Sequence, residues 1–165
     1  MSYDCPSHPS SEHKKHLILF LCTGNYYRSR FAELIFNNAA ARAGLDWRAD
    51  SRGLDIGQLP RNHGPISLHT LQALEQRHIP VERPLRFPLP LSESDLSASD
   101  RVIALKEAEH RPMVKRNFPK WLNHVEFWHV NDLDQAMPEE ALPQIETAVL
   151  DLVRELALGK HDIQK

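Results

Sequence analysis

The sequence predicts an α/β fold: a four-stranded parallel sheet with helices on both faces, three layers in all. Two observations carry that prediction. The runs "HLILFL" (16–21) and "DRVIAL" (100–105) are continuously apolar rather than alternating, as strands buried on both faces are. Stretches with helical apolar spacing separate the strand-like runs, which is the pattern of βαβ units.

Residues 1–15, "MSYDCPSHPSSEHKK", are polar and without apolar period, and read as a mobile tail ahead of one domain spanning 16–165. Cys5, His8, His13 and His16 match no closed zinc spacing, so no metal site is expected. The first strand, 16–21, passes through the turn "CTGNYYRS" into "RSRFAELIFNNAAARAGL". There Phe31, Leu34, Ile35 and Ala39 fall near helical spacing and Gly44 closes the helix. "WRADSRG" (47–53) is a weak second strand. "GPISLHTLQALEQRHI" (64–79) makes a second helix with Pro65 at its start, and the proline-rich "PVERPLRFPLPLSESDL" (80–96) an extended surface crossing. "DRVIAL" is the third strand. The segment after it, up to Pro119, is helical, with Pro112 limiting that helix or sitting in its first turn. "HVEFWHV" (124–130) is the fourth strand, and "PEEALPQIETAVLDLVRELALG" a long final helix with Pro138, Glu139 and Glu140 at its start.

At 165 residues the chain is long enough to bury a core without metals or disulfides. Its 20 basic and 22 acidic side chains give a formal charge of -2, which argues against nucleic acid as a partner. Two cysteines, Cys5 and Cys22, do not make a secreted disulfide framework, and a cytoplasmic setting follows. The apolar run before Cys22 is shorter than the about 7–15 residues of a signal core, and no stretch reaches the roughly 18 of a membrane span.

The chemistry concentrates at the end of the first strand, since ligand sites of open parallel sheets lie beyond the carboxyl ends of the strands. A turn entering a helix N-terminus offers free amides and a favourable dipole to an anion, and Gly24 and Asn25 tolerate the left-handed geometry that curling those amides inward requires. Arg28 adds a bidentate fork for two phosphate oxygens. The same groups favour the thiolate of Cys22, a nucleophile aimed at a bound phosphorus atom. "VNDLD" (130–134) follows the fourth strand on the same edge, and Asp132 is the candidate proton donor to a leaving group.

At these residues the sequence resembles the low-molecular-weight protein tyrosine phosphatase family, which carries C-x-G-N-x-C-R-S-P after its first strand and an Asp-Pro near its C-terminus. The likeness extends over residues 16–158, including "SRG" (51–53) and "SDRVIAL" (99–105). The resemblance implies the family's four-stranded parallel sheet with flavodoxin-like winding and a phosphomonoester hydrolase working through a phosphocysteine. By it Cys22 is the nucleophile and Asp132 the general acid and base. Thr23, Gly24, Asn25, Tyr26, Tyr27, Arg28 and Ser29 form the phosphate loop, and Asn25, Ser29 and Ser51 brace it. No cofactor is implied, and the partner is a phosphorylated protein or a small phosphomonoester. An arsenate reductase shares such a loop, although its chemistry needs further cysteines downstream of Cys22. A phosphate-binding module without catalysis is the other alternative.

The chain departs from the family pattern at several positions. Tyr27 stands in place of a second cysteine. Arg30 replaces a proline and reads as solvated. Leu133 replaces the proline of Asp-Pro, and Asp134 and Gln135 stand where aromatic residues usually wall the substrate ring. Lys106 occupies the position of an acid that usually follows the third strand, and the substrate is left open.

Overall fold

The structure, a computed structural model, describes residues 14–58, 64–130 and 138–162. Strands β1 (His16–Cys22), β2 (Trp47–Gly53), β3 (Arg101–Ala104) and β4 (Val125–Phe127) form one sheet in the order β2-β1-β3-β4, every pair parallel. Helices α1 (Arg28–Arg42), α2 (Leu68–Gln76), α3 (Glu93–Ala98), α4 (Glu107–Asn117) and α5 (Pro138–Asp162) complete the layers. The mobile tail expected over 1–15 falls almost entirely outside the described residues.

The unbroken apolar run of β1 follows from its central place. Alternate side chains point to opposite faces: Ile18 and Phe20 join Phe31, Phe36, Leu74, Ile145 and Val149 in one core, while Leu19 and Leu21 join Leu96 and Val114 in the other. Each such side chain, fully buried, contributes about 1.5–3 kcal/mol. Two cores on one strand fix its register and hence the position of Cys22 at its carboxyl end. β2, the weak strand of the sequence, pairs with β1 along its whole length, from His16 opposite Trp47 to Cys22 opposite Gly53.

Three elements differ from expectation. The proline-rich crossing is not extended throughout, because Ser92 and Asp95 form a reciprocal capping box that starts α3 within it. Pro112 lies inside α4, well past its first turn. The cost of about 3 kcal/mol for an interior proline is offset in part by burial of His110 and Val114 on either side. The fourth strand is confined to Val125–Phe127, because Pro119 opens a 3-10 turn that runs to His124.

Gly53 closes β2 against the turn after β1. A Cβ there would stand 2.4 Å from Ile56 Cγ2, 3.0 Å from the Thr23 carbonyl oxygen and 3.2 Å from Asn25 Cβ. Gly53→Ala is therefore expected to destabilise the chain by about 1–3 kcal/mol, seen as a lower urea midpoint. An unchanged midpoint would show that the turn yields freely.

Candidate active site

Residues 23–27 join β1 to α1, and the loop's left-handed conformation falls on Asn25, at φ 50°. Three of its carbonyls are bonded to groups outside the loop. Thr23 O accepts from Asp55 N (2.9 Å), Tyr26 O from Ser67 N (2.9 Å), and Tyr27 O from Phe31 N (3.1 Å) and Thr70 Oγ1 (3.2 Å). Because a trans peptide is planar, each outward carbonyl sends the next residue's N–H the opposite way, so the amides of Gly24, Tyr27 and Arg28 point to the loop's interior. α1 then begins with no side-chain cap, leaving its positive end to whatever occupies that interior.

Cys22, buried but for a small fraction of its surface, lies at the floor of an open cavity of about 270 Å³ lined by Thr23, Gly24, Tyr26, Tyr27, Arg28 and Asp55. Its Sγ is 2.9 Å from Ser29 Oγ. Asn25 Nδ2 donates to both Ser29 Oγ and Ser51 Oγ at 2.9 Å, so one side-chain amide fixes the hydroxyl that contacts the sulfur and the hydroxyl near the end of β2. Asn25, Ser29 and Ser51 are all fully buried.

Arg28 is held by Glu109, a residue the sequence reading missed. Nη1 donates to Oε2 and Nη2 to Oε1, each at 2.9 Å, and Thr23 Oγ1 donates to Oε1 at 2.6 Å. Those bonds from Arg28, with burial working against them, hold the Glu109 carboxyl down to about 2. Burial disfavours the charge of Arg28, yet its bond to Glu109 and the nearness of Cys22 raise its pKa. The end-on pairing uses one hydrogen of each terminal nitrogen. The Nε–H edge stays available for side-on binding of two phosphate oxygens. Next to Glu109, His110 accepts from the Lys106 amide at Nδ1 (3.0 Å), and burial followed by the Arg28 charge lowers it to about 4. It is a neutral histidine that fixes the start of α4.

The structure brings together Cys22, Thr23, Gly24, Asn25, Tyr26, Tyr27, Arg28, Ser29 and Ser51. Asp132, with Leu133, Asp134 and Gln135, lies outside the described residues. Arg30 is not solvated. It is buried to 4% exposure, with Nη1 donating to the carbonyls of Pro65 (3.1 Å) and Arg86 (2.9 Å) and Nε 3.7 Å from Glu33. The reason is that the crossing and the segment ahead of α2 each bring a carbonyl, of Arg86 and of Pro65, to the first turn of α1. Burial, then the like charge of Arg86, lowers the Arg30 pKa. Glu109 was legible only as an acid in the first turn of α4, and nothing in the spacing pairs it with Arg28. No group of His, Cys, Asp and Glu among the described residues could hold a metal, and no described helix is long and apolar enough to cross a membrane.

The class of protein is a phosphate-loop hydrolase fold. Residues 17–161 match the family described as low molecular weight phosphotyrosine protein phosphatase, and the chain belongs to that family, whose members are phosphatases. It is 30% identical over 108 residues to a protein-arginine-phosphatase of Bacillus subtilis (strain 168), covering 66% of this chain and 67% of that one. A mutant of YwlE from Bacillus subtilis superposes with a TM-score of 0.67 at 24% identity, over 92% of this chain and all of the other. A thioredoxin-dependent arsenate reductase from Corynebacterium glutamicum shares the fold with a TM-score of 0.63 at 24% identity, over 90% of this chain and 65% of its own.

Behind the loop, burial raises the Glu33 carboxyl to about 7, with Arg86 opposing and Asp50 adding to the rise. A folded state that keeps this proton after the unfolded chain has shed it loses stability as pH rises from about 4.5 to 7. Glu33→Gln should therefore gain on the wild type across that window, by up to about 3 kcal/mol, in urea unfolding at a series of pH values. A constant difference between the two would contradict the raised carboxyl.

Proposed function

We propose that the chain hydrolyses phosphorylated substrates through a phosphocysteine on Cys22. The observation that carries this is Cys22 Sγ at the floor of a cavity framed by inward amides, an uncapped helix N-terminus and Arg28. A phosphoryl group in that cavity has its oxygens on the amides and on the Nε edge of Arg28. The thiolate, held by the Ser29 hydroxyl, attacks phosphorus, and the bond from phosphorus to the leaving group breaks. Asp132 gives its proton to the departing atom. Water then attacks the phosphocysteine, Asp132 takes a proton from it, the P–S bond breaks, and phosphate leaves with the thiolate restored. Amides and arginine, fixed beforehand, stabilise the charge on the equatorial oxygens in both steps.

A phosphorylated arginine side chain on a protein is the favoured substrate within that reading. Asp55 lines the cavity and has no ion-pair partner among the described residues. A carboxylate there repels an anionic leaving group and attracts a guanidinium. The relative that is 30% identical is a protein-arginine-phosphatase. A thioredoxin-coupled reductase has less support, because no cysteine follows Cys22 in the sequence to carry a disulfide outward.

Hydrolysis of para-nitrophenyl phosphate tests the reaction. Cys22→Ser should abolish turnover, and Asp132→Asn should lower kcat by about 10²–10⁴-fold. Wild-type protein that binds orthovanadate without turnover would make this a binding module instead. For the substrate, Asp55→Asn should lower kcat/KM on a phosphoarginine peptide by about fivefold more than on para-nitrophenyl phosphate. Equal losses would remove Asp55 from recognition.

A further inference from the structure

The chemistry above leaves unused a buried charged cluster behind the loop, reached from the proline-rich crossing. Asn25 is its centre. The side-chain amide of this residue has four hydrogen bonds, the most it can make. Nδ2 serves Ser29 and Ser51, and Oδ1 accepts from Leu89 N at 3.1 Å and from Arg86 Nη1 at 3.0 Å. Among the described residues, Arg86 is thus the one charged group that hydrogen-bonds the side chain of the loop's left-handed residue.

The rest of the Arg86 guanidinium is engaged as closely. Nη2 donates to Ser51 Oγ at 3.2 Å and to the Ser51 carbonyl at 3.3 Å, and Nη1 also reaches the Phe87 carbonyl at 3.0 Å. The Glu33 carboxyl from α1 and the Asp50 carboxylate from β2 lie 3.7 and 3.6 Å from Nη2. Asp50 is shared with Arg52 at 2.9 Å, and Arg30 fixes the backbone of the crossing through the Arg86 carbonyl. One planar fork therefore bridges the loop and the end of β2, with counter-charge supplied by Asp50. An ammonium, a single donor point, cannot span Asn25 and Ser51 in that way.

We propose that Arg86 is a positioning residue for the phosphate loop: it clamps Asn25 against Ser51 and, through Asn25, sets the Ser29 hydroxyl on Cys22. The inference rests on the phosphatase reading above. A non-glycine residue in the left-handed region costs about 1–2 kcal/mol, so the loop keeps its shape only while neighbours hold it. Of the four bonds to Asn25, those from the serines come from inside the site. Those from Arg86 and Leu89 tie it to the crossing, which makes the crossing part of the catalytic support.

The test uses the full chain with Arg86→Met, Arg86→Ala and Arg86→Lys, alone and with Asn25→Ala, and Asn25→Ala by itself. Turnover of para-nitrophenyl phosphate, inhibition by orthovanadate and melting temperature are measured for each. Arg86→Met should lower kcat by about 10–100-fold, as a displaced loop does, and weaken orthovanadate by about tenfold. Arg86→Lys should recover only part of this. Guanidinium chloride at millimolar levels should restore activity to Arg86→Ala but not to Asn25→Ala. In the Asn25→Ala background Arg86→Met should add little. Folded Arg86→Met with unchanged kcat and orthovanadate inhibition, or losses that simply add to those of Asn25→Ala, would overturn the clamp. Should Arg86→Met not fold, Arg86→Lys with wild-type kcat and inhibition would overturn it equally. If the wild type has no turnover, the phosphatase reading fails while direct binding of orthovanadate to each variant still decides the clamp.

Discussion

A loop that turns several amides toward one centre sets like dipoles against one another, and it persists only if its carbonyls and its strained dihedral are held from behind. In this chain the holding converges on Asn25, whose buried side-chain amide satisfies two serines, a backbone amide of the crossing and a guanidinium at once. Those four partners come from three pieces of chain: α1, β2 and the crossing, which supplies two of them. The requirement explains features that look unrelated, such as a glycine at the end of β2 with no room for a Cβ and an arginine buried under a surface segment. The sheet supplies the fixed edge against which this is done, since β1 is packed on both faces and paired on both sides.

Two part-buried ionic groupings divide the electrostatic work. On the cavity side, Glu109 takes the end of the Arg28 guanidinium and leaves its side edge toward the loop, so that one carboxylate orients the cation without consuming it. Removal of a partner from such a pair leaves a buried charge uncompensated, which is the costly direction. Behind the loop, three arginines and two carboxylates share a small space, and burial drives Glu33 toward its protonated form while Asp50 stays ionised with its pKa lowered. Burial works against the Asp50 charge, and bonds from Arg52 and the Ser51 amide more than offset it.

Much of the fold was legible because β1 and β3 are buried on both faces and β1 ends in turn chemistry that few structures need. "CTGNYYRS" carries the loop's residues in consecutive order, so sequence proximity and spatial proximity coincide there. The supports were not legible for the opposite reason. Glu109, 81 residues from Arg28, and Arg86, 61 from Asn25, meet their partners only through tertiary packing. Arg30 read as solvated because a charged residue in a first helical turn usually is, and only tertiary packing brings the carbonyls of Pro65 and of Arg86 to that turn. α3 was missed because the prolines before it set the expectation of extended chain, while Ser92 and Asp95, the capping box itself, were present in the sequence all along.

The charge layout at the cavity bears on what the site accepts. Glu109 offsets the net charge of Arg28, so the cradle binds a phosphoryl dianion by directed N–H groups more than by bulk positive charge. Asp55 then adds a negative charge to the lining of the same cavity. A site arranged this way gains nothing from an anionic or neutral leaving group at that carboxylate, and gains an ion pair from a cationic one. The guanidinium of a phosphorylated arginine is such a group among phosphorylated side chains, since the phosphate esters of tyrosine, serine and threonine carry no cation next to phosphorus. Under the proposed function, anion binding by dipoles and leaving-group selection by charge fall to different parts of one cavity, and the second can change through a single residue without disturbing the first.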